Sequence, residues 1–362
     1  MSESRPAALT PTPQAVLSGA VVEALHKAYD TGDWLDWRRT PQGSTNISFF
    51  VTASSGRYVL RCSTARKSLD AIRFEVRLIE YLRARDYPAP AIIRTRRGEG
   101  FAEHNGTFYL MTAYIPGSPY DPERASHLRA AGHGLGLYHR CVRDFPGPYY
   151  HRPSPVLTGL GPTGVSSLAD VSPLTSRFLS ADEQKRLEHA FAYISSQFTG
   201  VHREMAELSP GLSELIIHGS FGRSALIFDG ERLIGIVDYD RATHGICGMD
   251  LAYTIKAFCR VHDQDSEEYR VGLDSGRCRE FVLAYQEVEP LAREEIQALP
   301  LIFRQQRLVK VLQKCNNLLT KDAIVRQEAK DMRKLALMAE REAIRLRWLE
   351  VHSDDLRAAL LD

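Results

Sequence analysis

Residues 214–242 read ELIIHGSFGRSALIFDGERLIGIVDYDRA. The apolar run Leu215-Ile216-Ile217 enters a His218-Gly219 turn. A second run, Leu233 to Val237, enters Asp238-Tyr239-Asp240. Two short strands that both end on polar residues match the way a phosphate-handling site is laid out. The first loop nevertheless offers Ser220 where a catalytic carboxylate would be expected. The question this raises is whether the loop is a working site or the shell of one.

Upstream, the pattern predicts a small sheet. Residues 17–30 read as a short amphipathic helix. Residues 44–63 read as a hairpin, with Ile47, Phe49 and Val51 alternating and Ser54-Ser55-Gly56 as the turn. Residues 69–85 carry apolar side chains at 71, 74, 78 and 82, a helical period, and Asp86-Tyr87-Pro88-Ala89-Pro90 ends that helix. Strands are expected at 91–95 and 107–112, separated by the polar turn 96–106. Pro116-Gly117-Ser118-Pro119 is a breaker cluster and the candidate hinge.

Downstream, helices dominate. Residues 124–143 place Leu128, Ala131, Leu135 and Tyr138 on one face. Residues 144–175 read as irregular, 181–208 and 249–261 as helices, and about 290–361 as almost wholly helical. In the last section the positions expected to pack are 335, 338, 344, 346 and 349. Interleaved acids make its basic stretch a solvated helix face. The fold class expected is α+β and bilobal: a lead at 1–16, a small antiparallel-sheet lobe at 17–114 and a helical lobe at 115–362.

Composition narrows the function classes. The chain has 362 residues, 44% hydrophobic and 25% charged, with a net charge of +1. That balance argues against nucleic acid or an anionic membrane surface as partner. The six cysteines form no C-x-x-C pair and no zinc spacing. They are expected to be free thiols in a cytoplasmic protein. No apolar run approaches the roughly 20 residues that span a bilayer. The polar, Pro-containing start is expected to be a disordered lead.

The motifs together resemble the aminoglycoside phosphotransferase superfamily, which includes homoserine kinase, choline kinase and methylthioribose kinase. His218-Gly219, Leu226-Ile227-Phe228, Asp238-Tyr239-Asp240, Ala242 and Asp250-Leu251-Ala252 fall in register with its signature. GSTNISFFV with YVLRCS is similar to its nucleotide-covering loop and strand pair, and RFEVRLIEYLRARDYPAP to its E-x-x-L-L helix. YLMTAYIPGSP is similar to its hinge and GHGLGLYHR to its small-x-x-L-H helix. The likeness covers most of residues 40–260 and implies a protein-kinase-like fold. It also implies a nucleoside triphosphate, ATP by default, with Mg2+, and a hydroxyl acceptor on a small molecule or a modified peptide.

Site roles follow by resemblance. Adenine would lie against the hinge at Met111 to Tyr114, including Ala113. Phosphates would lie near Arg61, which stands where the family has its strand lysine, with Glu75 as its ion partner. Ser44, Thr45 and Asn46 would cradle phosphates through backbone amides. Arg223 would meet an anionic ligand, and Asp238 would hold Mg2+. Two positions depart from the family: Ser220 replaces the catalytic Asp, and Ala225 replaces the metal-binding Asn. A hydroxyl is a poor base, and losing a general base costs about 10²–10⁴-fold in rate. Ala225 has no oxygen for a metal. Three readings stay open: a degenerate kinase that binds a ligand or protein partner, a rewired kinase using Asp240 or His218 as base, or a catalytic group elsewhere. His218 also reads as a loop brace and Asp250 as a helix cap or a loop brace. Arg61 with Glu75 reads equally as a surface pair of little energetic weight.

Overall fold

The computed structural model describes residues 17–41, 46–63, 67–150, 168–169, 171, 173, 175–261, 271–319 and 329–361. The expected lead at 1–16, Ser44, Thr45 and most of 151–174 lie outside the described residues. The chain divides into two compact units, one up to Pro116 and one from Gly117.

The N-terminal unit contains α1 (Gly19–Ala28), β1 (Trp34–Arg39), β2 (Ile47–Ala53), β3 (Gly56–Cys62), α2 (Leu69–Arg83), β4 (Ala102–His104) and β5 (Thr107–Ala113). The strands form an antiparallel five-stranded sheet in the order β1-β2-β3-β5-β4. Alternation in β2 buries Phe49, Val51 and Ala53 on one face. These join Leu25, Tyr29, Leu60, Tyr109 and Met111 in one apolar cluster. Tyr29 belongs in that cluster because its hydroxyl is satisfied: it donates to the Tyr109 carbonyl at 2.7 Å and accepts the Ala102 N–H at 3.2 Å. Ser68 caps α2 by accepting the Ala71 N–H, and Ala71, Phe74, Leu78 and Leu82 are all buried, as the spacing predicts.

Two details differ from the sequence reading. β1 escapes the pattern because its last five residues are exposed, so an edge strand carries no buried alternation. Residues 91–95 form no strand. Their backbone gives only two bonds alongside β5, Ile93 N–H to Met111 O and Ala113 N–H to Ala91 O, too short a run for a ladder.

The C-terminal unit is mainly helical: α3 (Ala125–Val142), α4 (Ala181–Leu208), α5 (Cys247–Phe258), α6 (Ser275–Gln286), α7 (Arg293–Leu319) and α8 (Ala329–Leu361). Two small antiparallel sheets are set among the helices. One pairs β7 (Glu214–Ile217) with β10 (Thr243–Ile246). The other orders β6 (Ser118–Pro119), β8 (Leu226–Asp229) and β9 (Arg232–Ile236). The whole is the expected α+β class, an antiparallel-sheet unit followed by a helical one.

α4 starts with a capping box in which Ser180 and Glu183 satisfy each other's backbone N–H. α6 falls in a stretch that the sequence left unread. Of the positions expected to pack in α8, Leu335, Leu346 and Leu349 are buried but Ile344 is 49% exposed. The buried row runs 335, 339, 342, 346, 349, so residue 344 lies on the opposite side of the helix.

Glycines on α3 set how closely α6 can approach. A Cβ at Gly132 would lie 2.4 Å from the Phe281 carbonyl oxygen, and one at Gly136 2.7 Å from that of Tyr285. Any side chain there must push the α6 backbone away. Gly136→Val should therefore lower stability by about 1–3 kcal/mol, the range for overpacked sites. In thermal melts that is a fall of roughly 2–12 °C; an unchanged melting temperature would show that the two helices are not held this closely.

Candidate active site

The loop between β7 and β8 is fixed from below by one carboxylate. Asp250, in the first turn of α5, is 1% exposed. Its Oδ2 accepts the His218 N–H at 2.5 Å and its Oδ1 the Gly219 N–H at 2.8 Å. Asp250 is thus no helix cap, a place held by Ile246, but a double backbone clamp on the loop. Gly219 is required at its position: its φ is +74°, and a Cβ would lie 2.6 Å from the Arg241 carbonyl oxygen. A charge buried this deeply needs a counter-charge. His139 of α3 supplies it, with Nε2 at 3.3 Å from Asp250 Oδ2 and both side chains fully buried. The other ring nitrogen bonds the Tyr285 hydroxyl at 2.7 Å and lies 3.4 Å from Cys247 Sγ.

The two buried imidazoles are pushed in opposite directions. Burial pulls the His139 pKa down, but the Cys247 sulfur and the Asp250 carboxylate outweigh it and raise the value to about 10. Burial lowers the His218 pKa to about 4, leaving a neutral ring. His218 is fully buried among Tyr138, Phe221 and Tyr239.

Ser220 is 7% exposed, and its hydroxyl donates to the Asp238 carbonyl at 2.7 Å, with His218 Nδ1 at 3.5 Å. It ties the loop after β7 to the loop after β9. Ala225 is 1% exposed, and its carbonyl accepts the Val237 N–H at 2.9 Å, a second tie between the same loops. Asp238 takes the left-handed conformation, φ +75°, which Asp tolerates better than most residues. It is exposed, and Asp240 two residues on is partly buried. Thus His218, Ser220, Asp238 and Asp250 are brought together through backbone and side-chain bonds. Arg223 follows in the same loop, with Nη2 3.5 Å from the Phe258 carbonyl and its guanidinium 5.6 Å from the Tyr120 ring centre.

In the N-terminal unit, Glu75 of α2 is 1% exposed and receives two cations. Arg61 of β3 reaches Glu75 Oε2 at 2.6 Å, and Lys67 bonds the same oxygen. This is a buried pair, not a surface one. Asn46 lies partly buried just ahead of β2. Met111 is fully buried in the sheet core, and Ala113 is half-buried with its N–H given to Ala91.

Sequence reasoning missed Lys67 and His139. The signals were a lysine just ahead of the α2 cap and the histidine of GHGLGLYHR. Among the described residues no three His, Cys, Asp or Glu side chains cluster as a metal site, and no helix is long and apolar enough to cross a membrane.

The family model for phosphotransferase enzymes matches residues 36–291. The chain belongs to the phosphotransferase enzyme family. Among curated relatives of this phosphotransferase-family chain, homoserine kinase of Pseudomonas aeruginosa is 28% identical over 288 residues, 80% of this chain and 83% of that one. Homoserine kinase of Methylobacillus flagellatus is 26% identical over 331 residues, covering 90% and 95%. An amicoumacin kinase solved with AMP-PNP, Ca2+ and Ami superposes with a TM-score of 0.61 at 12% identity, covering 88% of this phosphotransferase-family chain and 93% of its own, so the fold is kinase-like.

The two histidines predict a stability dome. His139, raised above its unfolded value near 6.5, contributes stability that is complete below pH 6.5 and lost as pH rises toward 10. His218, lowered, contributes stability that is complete above pH 6.5 and lost as pH falls toward 4. Melting temperature measured from pH 4 to 10 should peak near neutrality, with the alkaline slope flattened in His139→Gln and the acid slope in His218→Gln. Equal slopes in the variants and the parent would contradict these assignments.

Proposed function

We propose that this chain is a degenerate member of the phosphotransferase enzyme family that binds a nucleoside triphosphate with Mg2+ but transfers phosphate far below ordinary kinase rates. It would act as a binding or scaffold subunit, in keeping with a biosynthetic complex. The observation that carries this reading is the state of Ser220, whose proton is committed to the Asp238 carbonyl. A serine in that bond braces the loop, and with no carboxylate it has no basic site to take an acceptor's proton. The buried Ala225 offers nothing to a second metal ion.

Nucleotide affinity is supported separately. Arg61 and Lys67 converge on one carboxylate, and both are side chains of the kind that bind phosphate oxygens. Mg2+ needs only one or two carboxylates when phosphates and waters complete its shell. The exposed Asp238 fits that requirement for one ion, which would neutralise phosphate charge when bound. The side chain of Met111 is buried, so adenine would be met by backbone or by residues beside it rather than by that side chain.

A second reading is favoured by one finding: the relatives quoted above are named homoserine kinase over about four-fifths or more of this chain. Under it the chain is an active phosphotransferase on a small-molecule or peptide hydroxyl, with Asp240 as base. His218, buried and neutral, suits that role poorly.

With Mg-ATP at 100-fold excess over its Kd, the melting temperature should rise by about 5 °C or more. Arg61→Gln/Lys67→Gln should lose most of that rise, and an unshifted parent would remove the nucleotide half of the proposal. If the second reading holds instead, the parent turns over a hydroxyl acceptor and Asp240→Asn abolishes it.

A further inference from the structure

The five-stranded sheet has two edges of different kinds. One is β4, only three residues long. The other is β1, six residues long and paired with β2 alone. A short edge resists pairing with another chain, and β1 lacks that protection. Leu35 to Arg39 are all exposed, Leu35 at 68% and Trp37 at 38%. The ladder shows which backbone groups β2 uses. The Thr40 N–H donates to the Ser48 carbonyl at 2.9 Å, so these two residues form a hydrogen-bonded antiparallel pair. Such pairs alternate along the ladder. Arg38 with Phe50 and Asp36 with Thr52 therefore bond likewise, while the N–H and C=O groups of Trp37 and Arg39 point away from β2. The register shift between Trp34 and Asp36 leaves Leu35 unpaired with β2 as well.

The sequence of this edge complements itself. Lay a second β1 antiparallel to the first, with Trp37 opposite its own copy. Leu35 then lies opposite Arg39, so the outward backbone groups of each strand meet those of the other. Asp36 falls opposite Arg38 in the closer, non-hydrogen-bonded positions, and the two-fold axis repeats that pair. Opposite charges placed so are favourable, and like charges are not. Sliding the copy by two residues keeps the backbone match but sets Asp36 against Asp36, or Arg38 against Arg38. Only the register centred on Trp37 joins backbone and charge together. Among the described residues neither Asp36 nor Arg38 has an ion partner within its own chain. Trp37 sits opposite the buried Val51 and so at the margin of the apolar face, where its copy would cover it.

We infer that β1 is a self-association edge. Two copies of this chain join through antiparallel β1–β1 pairing about an axis at Trp37, with Asp36 of each copy against Arg38 of the other. The two sheets become one continuous sheet. The inference is independent of whether the chain transfers phosphate.

Sedimentation equilibrium of the full chain, up to about 100 μM, should show a monomer–dimer equilibrium. Added salt should weaken it. Asp36→Arg and Arg38→Asp each place like charges opposite one another, and each should weaken association about tenfold or more. Mixed in equal amounts, the two variants should dimerise with each other, because every pair across the axis is then of opposite sign. Asp36→Arg/Arg38→Asp in one chain should restore the homodimer. Trp37→Pro removes an outward N–H and none of the bonds to β2, so it should stay folded in thermal melts and lose the dimer. A parent that stays monomeric overturns the inference; that result is expected if another segment, such as residues 1–16, covers the edge. It is equally overturned by a dimer that both single variants leave unchanged, or by folded single variants that stay monomeric when mixed.

Discussion

A single buried carboxylate holds the candidate site in shape. Asp250 takes the N–H groups of His218 and Gly219 on its two oxygens and balances its charge on His139. Each contact is a charge-assisted bond in a site closed to water, where such bonds are strong and an unpaired partner is costly. Gly219 must then be left-handed and lie against Arg241, which sets where residues 220–225 can go. None of these constraints involves the residue at 220. On the proposed reading, the loop can therefore keep the form of a phosphotransferase without the carboxylate the resemblance leads one to expect.

That separation between shape and chemistry explains the departures. Ser220 has become a structural bond between two loops, and Ala225 contributes only its backbone to the same junction. A lost general base amounts to about 3–5 kcal/mol on the barrier, from the rate factors above. Phosphate binding does not depend on that base. On the proposed reading it depends on cations and on a metal-holding acid, the roles proposed for Arg61, Lys67 and Asp238.

How much of this could be read beforehand depended on the range of the contact. β2, β3, α2 and α3 were legible because their patterns are local: alternation over Ile47–Val51, and period 3.6 at Ala71, Phe74, Leu78 and Leu82. The 218–250 signature was legible because its residues are close in sequence and resemble a family. His139 as the partner of Asp250 was not, since 111 residues separate them and a histidine on an apolar helix gives no sign of its ion partner. Lys67 lay between elements, where no period applies. The cations paired with Glu342 come from α7 and from α8 itself. Periodicity tells which face of α8 packs, yet it chose Ile344 over Glu342, because a buried acid contradicts the apolar rule until its cations are seen.

The central claim is that the clamped loop is intact and lacks only its acid and amide. The most direct measurement is Mg-ATP turnover by the parent chain and by Ser220→Asp/Ala225→Asn, under one set of conditions. The account predicts little turnover by the parent and a gain on the order of 10²-fold or more in the double variant, the scale of a restored general base. Turnover by the parent at roughly 1–100 per second, as ordinary kinases show, or a folded double variant no faster than a silent parent, would contradict it.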